Sequence, residues 1–163
     1  MSIIRVLLLG LVFLPVLVDA AAAQPGSTTS ASGSVQIFAL TTSDGASCTN
    51  PPGPCGALVS LPIDVKANSL LTITFSARGL VSPSSTQTVE VAINCDVDGN
   101  PCEPDANGVE FLYPTFCCDA RSFTWISPAG KGAHTVRISW TTQNSGTASI
   151  QNRTLHVEAV PTK

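Results

Sequence analysis

The sequence has little charge, few aromatic residues and only two histidines. Of its 163 residues, 12% are charged and 6% are aromatic, and the formal net charge is -3. Lys and Arg do not occur in runs, so the chain lacks the basic stripe that nucleic-acid binding requires. The length excludes more than one ordinary domain. We therefore expect one domain that does not bind nucleic acid.

Long apolar runs are absent beyond the first two dozen residues. The segment 1–23 carries a positive charge at Arg5, continues through an apolar stretch and ends in small residues. This layout is typical of a secretory signal peptide that is cleaved before Gln24. A membrane anchor is the alternative, but a span needs about 20 apolar residues, and Pro15 interrupts this run. We predict a signal peptide, no membrane span, and secretion to the extracellular space or the periplasm.

All six cysteines follow the predicted signal peptide, which is typical of a disulfide framework in an oxidising compartment. They form two eight-residue loops and one adjacent pair: Cys48 and Cys55, Cys95 and Cys102, Cys117 and Cys118. The alpha carbons of adjacent residues are about 3.8 Å apart, below the usual range for a bridge. If both loops close locally, the adjacent pair forms a strained bridge or stays reduced. If the adjacent cysteines reach other partners, at most one loop is local, and the sequence leaves both alternatives open.

Alternation of apolar and polar residues predicts β-strands, and no segment shows helical periodicity. Nine segments fit this pattern: 35–40, 57–65, 71–77, 89–94, 109–112, 122–126, 136–140, 147–150 and 155–159. Clusters of Gly, Pro, Asn and Asp separate them. One polar and one apolar face per strand predicts antiparallel sheets that share a core.

These segments predict an all-β fold, a two-layer antiparallel β-sandwich of about nine strands that disulfides stabilise. Long connections in the middle of the chain favour a jelly-roll topology. The Cys, Trp, Cys order of immunoglobulin domains is not met, because Trp125 and Trp140 both follow the last cysteine. Residues 24–34 carry no apolar group larger than Ala31 and predict a flexible leader. The single domain is therefore predicted over 35–163.

Acidic residues concentrate in one segment, 96–110, which holds five of the ten acids after residue 23 and no Lys or Arg. Asp96, Asp98 and Asn100 place oxygen donors at alternate positions around a glycine, as in the first half of a calcium loop. The second half of an EF-hand is missing. We predict no cofactor other than a candidate calcium ion, whose site comprises five residues: Asp96, Asp98, Asn100, Asp105 and Glu110. The favoured competing interpretation is that Asp and Asn close hairpin turns through side-chain to backbone hydrogen bonds.

The sequence contains no well-supported catalytic motif. Ser122, His134 and Asp119 form a triad on paper, but no nucleophile elbow supports it. A zinc site from Cys117, Cys118 and His134 needs thiols, which in an oxidising compartment more often pair. We therefore predict that the protein is not an enzyme.

Two further features have alternative interpretations. Trp125, Trp140, Tyr113 and Phe116 could form a sugar-stacking platform, although core packing is favoured for large aromatic residues. The sequence at 152–154, Asn-Arg-Thr, is a glycosylation sequon at a predicted turn. It has meaning only in a eukaryotic source.

Three segments, 95–104, 132–140 and 149–157, resemble a pattern found in small exported bacterial proteins of unassigned function. The resemblance covers about the last 70 residues. It implies export and a jelly-roll sandwich similar in layout to the complement C1q and tumour necrosis factor class. Similar use would imply a homo-oligomer, namely a trimer. The resemblance transfers no catalytic residue.

We expect an exported, non-enzymatic binding or interaction module of the cell envelope or extracellular space. The predicted strands, the disulfide crosslinks and a surface rich in Ser and Thr favour this function. Its expected partner is a protein or glycan surface. The alternative is a carbohydrate-binding domain or a small glycan-active enzyme that uses the acidic segment, since glycoside hydrolysis needs two carboxyl groups facing one sugar bond. Glu103, Asp105 and Glu110 could supply them only if the loop folds over a groove.

Overall fold

Two antiparallel β-sheets form the molecule in the computed structural model, which describes residues 27–32, 35–49, 53–83, 89–104, 109–113, 119–143 and 146–163. In these ranges there are eleven strands: β1 (Ser27–Ser32), β2 (Val35–Thr42), β3 (Ala46–Thr49), β4 (Gly53–Val65), β5 (Ser69–Pro83), β6 (Val89–Val97), β7 (Asn100–Pro101), β8 (Val109–Tyr113), β9 (Asp119–Ala129), β10 (Gly132–Gln143) and β11 (Gly146–Pro161). The predicted signal peptide lies outside the described residues. Across those residues, no helix is long and apolar enough to cross a membrane.

The strand order is that of a jelly roll. Sheet A has the order β1-β2-β11-β5-β9, with β3 also beside β11, and sheet B has the order β4-β10-β6-β7, with β8 also beside β6. From β4 to β6, and again from β8 to β11, successive strands alternate between the two sheets. These crossings are the double Greek key of a jelly-roll sandwich. The predicted all-β, two-layer antiparallel fold is confirmed.

Alternating burial of side chains along each strand places the core between the two sheets. In β5, Leu71, Ile73 and Phe75 are fully buried, whereas Thr72 and Thr74 between them are partly exposed. Facing them from sheet B are further buried side chains, such as Ile138 of β10. Period-two burial therefore explains why these apolar residues form strands rather than helices.

All nine predicted strand segments lie within strands, but the last two are parts of a single strand. Segments 147–150 and 155–159 both belong to β11, which pairs with β5 along its whole length. The turn predicted between them is wrong: the register shifts between Gln151 and Thr154, so the chain bulges and continues. A bulge interrupts apolar alternation much as a turn does, because it inserts an extra residue.

Part of the predicted flexible leader is a strand. Residues 27–32 form β1, which pairs with β2 from Ser27 opposite Leu40 to Ser32 opposite Val35. The sequence does not predict this strand, since Ser and Thr residues there show no apolar alternation. Backbone hydrogen bonds to β2 hold it, and such bonds do not depend on the side chain.

Both disulfides are local. Cys48 is bonded to Cys55, and Cys95 is bonded to Cys102. The predicted stabilisation by disulfides is confirmed, and of the two alternatives left open the one with two local loops holds. The adjacent pair, Cys117 and Cys118, lies outside the described residues.

Candidate functional site

The acidic segment begins as a tight hairpin between β6 and β7. Val97 pairs with Asn100, and the two residues between them, Asp98 and Gly99, have φ angles of 54° and 82°. Two positive φ angles in a two-residue loop are typical of a type I′ turn, for which Asp-Gly is a preferred sequence. The hairpin-turn interpretation of this motif is confirmed.

Each carboxylate oxygen of this hairpin already has a protein partner. Asp96 accepts from the Gly99 amide at 3.0 Å and from Arg137 Nε at 2.8 Å. Asp98 accepts from the Thr135 amide at 2.7 Å, and its other oxygen lies 2.6 Å from His134 Nδ1. The Asp98 amide in turn donates to the Thr135 carbonyl at 3.0 Å. The two acids therefore fasten the hairpin to β10.

His134 lies between two acceptors. Its Nδ1 faces Asp98, and its Nε2 is 2.8 Å from the Gly130 carbonyl oxygen. Both bonds can be donated only by the protonated ring. The bond to Asp98, supported by the bond to Gly130, raises the pKa of His134 above its usual value. The same bond, with the Thr135 amide, lowers the pKa of Asp98.

The candidate calcium set is only partly described. Asp96, Asp98 and Asn100 lie together in the hairpin, with Asn100 Nδ2 donating to the Val97 carbonyl at 3.4 Å. Asp105 lies outside the described residues, and of Glu110 only the backbone, opposite Ala92, is described. Among the described residues, no group of three or more His, Cys, Asp or Glu is arranged to hold a metal ion. Calcium binding by the five residues stays a prediction.

The two tryptophans belong to the core. Trp125 is 2% exposed and Trp140 is 1% exposed. The core interpretation is confirmed for both, because a buried indole offers no face to a sugar. Tyr113 is described only as backbone in β8, and Phe116 lies outside the described residues.

The catalytic triad considered from the sequence does not form, because Ser122 and His134 lie on different sheets. Ser122 lies on β9 of sheet A, where its hydroxyl accepts a hydrogen bond from Ser76 at 2.9 Å. His134 lies on β10 of sheet B, and both its nitrogens are occupied as above. A nucleophile needs its base within hydrogen-bond reach, so Ser122 is not activated by His134.

A shallow groove lies where β11 bulges against β5 and β9, and we call it the Arg78 groove. Its volume is about 460 Å³. The residues that line it come from three strands: Ser76, Ala77, Arg78, Ala120, Arg121, Ser122 and Asn152. Arg78 is exposed and forms no ion pair with another residue that the structure describes.

The bulge that shapes this groove depends on two consecutive residues. Asn152 has a left-handed backbone, with φ of 49°, and is exposed, whereas Arg153 points into the protein and is 8% exposed. The Arg153 guanidinium donates to the backbone carbonyls of Leu58 and Asp44, while its Nε is buried without a partner in the described structure. Burial lowers the pKa of Arg153. One buried side chain thus ties the bulge to sheet B and to the loop after β2.

A second groove, of about 490 Å³, lies at an edge between the sheets. Its polar groups satisfy one another: Gln36 Nε2 donates to the Asp64 carbonyl at 3.2 Å, the Lys66 amide donates to Gln36 Oε1 at 2.7 Å, and Lys66 pairs with the Asp64 carboxylate. Because Lys66 is paired with Asp64 here, whereas Arg78 forms no ion pair with another described residue, the Arg78 groove is the stronger candidate for a ligand.

The Arg78 groove could not be recognised in the sequence. Its residues lie near positions 77, 121 and 152 and meet only through the pairing of three strands. The one sequence signal is the break in alternation at Asn152, which predicts a turn as readily as a bulge.

The chain has low similarity to known proteins. No family model and no curated protein matches the sequence. Among solved structures, the chain is similar to dimeric latent PorU from Porphyromonas gingivalis, with 8% identity and a TM-score of 0.46 over 85% of this chain and 14% of PorU. It is also similar to a structure of infectious bursal disease virus Gx strain, with 11% identity and a TM-score of 0.39 over 77% of this chain and 37% of the viral chain. The chain spans well under two thirds of either protein.

Proposed function

We propose that this protein is an exported, non-enzymatic binding module of the cell envelope or extracellular space that holds its ligand in the Arg78 groove. The observation that carries this proposal is the composition of the groove. Its lining residues are two arginines, two serines, two alanines and one asparagine, and none of its described residues is Asp, Glu, His or Cys. Such a surface can hold a ligand but has no acid, base or activated nucleophile with which to transform it.

Two observations on the rest of the molecule support the same proposal. The carboxylates of Asp96 and Asp98 are engaged in fastening a hairpin, whereas a glycan-active enzyme needs two carboxyl groups that face one sugar bond. The two disulfides are typical of proteins that work in an oxidising compartment. We extend the proposal to a homo-oligomer, which the resemblance to the C1q class implies and which light scattering of the purified protein tests.

A glycan array that carries neutral and acidic oligosaccharides tests the proposed function. The purified protein should be retained by a subset of the glycans, and no glycan should acquire new reducing ends during incubation. Ala120→Trp fills the groove from an exposed position of β9 and should abolish retention. Ala57→Trp, on an exposed position of β4 in sheet B and outside the lining of both grooves, is the matched control and should leave retention unchanged. Release of reducing ends, or retention that survives Ala120→Trp, contradicts the proposal.

A further inference from the structure

Exposed apolar side chains gather at one end of the outer face of sheet A. Of the described residues, three large apolar side chains are exposed, namely Leu70 at 39%, Ile126 at 44% and Val160 at 41%. Leu70 pairs with Val160 on one side and with the exposed Pro128 on the other, and Ile126 is the next residue of β9 on the same face. We call these four side chains the Leu70 patch. Apolar side chains that cluster in this way are typical of a contact surface.

Two acidic residues flank the patch, in the row of side chains next to that of Leu70. Glu158 on β11 pairs with Thr72 on β5. Ile126 on β9 pairs with Thr72 and, along its other edge, with Glu103. Directly paired residues point to the same face of a sheet, so both glutamates lie on the outer face, one on each side of the patch. Neither forms an ion pair with another described residue.

Two lysines lie beyond the opposite side of the patch, at the end of the strands. The Lys131 amide donates to the Asn68 side chain at 3.0 Å. The amide of Thr162, which precedes Lys163, donates to the Asn68 carbonyl at 2.9 Å. Asn68 comes two residues before Leu70 along the chain, whereas the row that holds the glutamates crosses β5 two residues after it. Both lysines are exposed, and neither forms an ion pair with another residue in the described ranges. The patch therefore separates two acids from two bases.

This arrangement of charge is complementary to itself. A twofold axis that crosses the strands at Leu70 reverses the strand direction and lays the patch of one copy on the patch of another. The lysine that follows β9 then faces the glutamate beside β9 of the other copy, and the lysine that follows β11 faces the glutamate on β11. An interface in which one surface meets the same surface of a second copy is the commonest kind in homo-oligomers. A twofold axis along the strands would instead lay lysines on lysines, which like-charge repulsion disfavours.

We propose that the Leu70 patch is the contact surface for a second copy of this chain, in a dimer whose twofold axis crosses the strands at Leu70. Burial of apolar side chains favours the contact, and the pairs of lysine and glutamate set its orientation. Arg78 lies eight residues from Leu70 along β5, which is about 26 Å, so the Arg78 groove of each copy stays open. This inference rests on the homo-oligomer that the proposed function includes, because it names the surface through which that oligomer forms.

Sedimentation velocity of the purified protein, from micromolar to near-millimolar concentration, tests this inference. The patch comprises four side chains, so we expect a dimer that forms as the concentration rises and dissociates on dilution. Leu70→Glu places two like charges opposite each other at the twofold axis and should raise the dissociation constant about tenfold or more. Ala57→Glu adds the same charge at an exposed position of sheet B and is the matched control, which should dimerise as the original protein does. Unchanged melting temperatures show that the variants are folded.

Charge reversal tests the orientation of the two copies. One double variant, Lys131→Glu with Lys163→Glu, makes all four flanking groups acidic, and the other, Glu103→Lys with Glu158→Lys, makes all four basic. Each variant alone should stay monomeric, whereas an equimolar mixture of the two should form a dimer. The same mixture with Leu70→Ser in both chains should dimerise about tenfold more weakly, which separates the patch from general attraction between opposite charges. Double variants that dimerise alone as well as the original protein does overturn the inference.

The outcomes separate the failure of this inference from the failure of the proposed function. A monomer at every concentration overturns both the inference and the homo-oligomer. A dimer that Leu70→Glu leaves intact, or a trimer, overturns the inference and sustains the homo-oligomer. Ligand binding by the Arg78 groove is tested independently by the glycan array, where the Leu70→Glu variant should still be retained.

Discussion

At the scale of single residues, His134 shows how one ring can join two loops at the end of the sandwich. Its two nitrogens face the Asp98 carboxylate and the Gly130 carbonyl, which belong to the β6–β7 hairpin and the β9–β10 turn. The sequence places Asp98 and His134 36 positions apart, so their contact follows from strand pairing and not from any local motif.

The His134 contact predicts a stability that depends on pH. Because the folded pKa of His134 is raised, its contribution is fully present below the ordinary pKa and is lost as the pH rises through the folded pKa. The lowered pKa of Asp98 acts in the opposite sense, since its contribution is present above 3.8 and is lost as the pH falls through the folded pKa. His134→Gln should therefore reduce the free energy of unfolding by about 1 kcal/mol near pH 5 and by less at pH 9.

Urea unfolding of the original protein and the His134→Gln variant at pH 5, 7 and 9 checks this prediction. Asp98→Asn is the companion variant and should remove most of the same pH dependence. An equal difference between the original protein and His134→Gln at all three pH values would show that the charge on the ring does not stabilise the fold.

Arg153 illustrates a buried charge that holds an irregular backbone. Its guanidinium contacts the carbonyls of Leu58 and Asp44 while it is 8% exposed. Arg153→Met keeps an apolar chain of similar reach but leaves both carbonyls without their donors, and the variant should lose about 2 to 4 kcal/mol of stability. Arg78→Met changes an exposed residue of the same type and should cost less than about 0.5 kcal/mol. Equal stability of the two variants in urea would contradict the assigned role of Arg153.

At the scale of elements, most strands could be predicted from their apolar alternation, whereas β1, β3 and β7 could not. Burial repeats every second residue along β5 and β10, so the alternation of apolar and polar residues in the sequence predicts those strands. In contrast, β3 and β7 have four and two residues, too few for a period to be recognised. The type I′ turn at Asp98 and Gly99 was predictable because its sequence is nearly diagnostic of its geometry.

The disulfide across the β6–β7 hairpin is an element-scale stabiliser with a calculable effect. Closing a loop of about eight residues contributes about 2.5 kcal/mol in the chain-entropy model. Cys95 and Cys102 are also packed in the core, at 6% and 1% exposed, whereas Cys48 and Cys55 are partly buried. Replacing Cys95 and Cys102 by Ala should therefore cost more than replacing Cys48 and Cys55 by Ala. Differential scanning calorimetry compares the two double variants, and a reversed order would contradict this account.

At the scale of the whole molecule, the jelly roll is a sandwich with an apolar core, and its candidate binding groove lies on the surface. Core side chains fill the space between the sheets, and the contacts of His134 with Asp98 and of Arg137 with Asp96 fasten the β6–β7 hairpin to β10. The Arg78 groove arises where one strand bulges, a place where sheets often carry binding sites. The hairpin carboxylates of the acidic segment, where the sequence predicted a calcium site, form structural contacts within the protein. The Arg78 groove, which the sequence did not predict, is the better candidate for a ligand.

The most direct test of this account is a nuclear magnetic resonance titration of the ¹⁵N-labelled protein with an oligosaccharide that retains the protein on the glycan array. We predict that the largest amide shifts occur around the groove, at Ser76, Arg78, Ala120, Ser122 and Asn152. Shifts that are instead concentrated between Asp96 and Asn100, or that are absent from the groove, would contradict it.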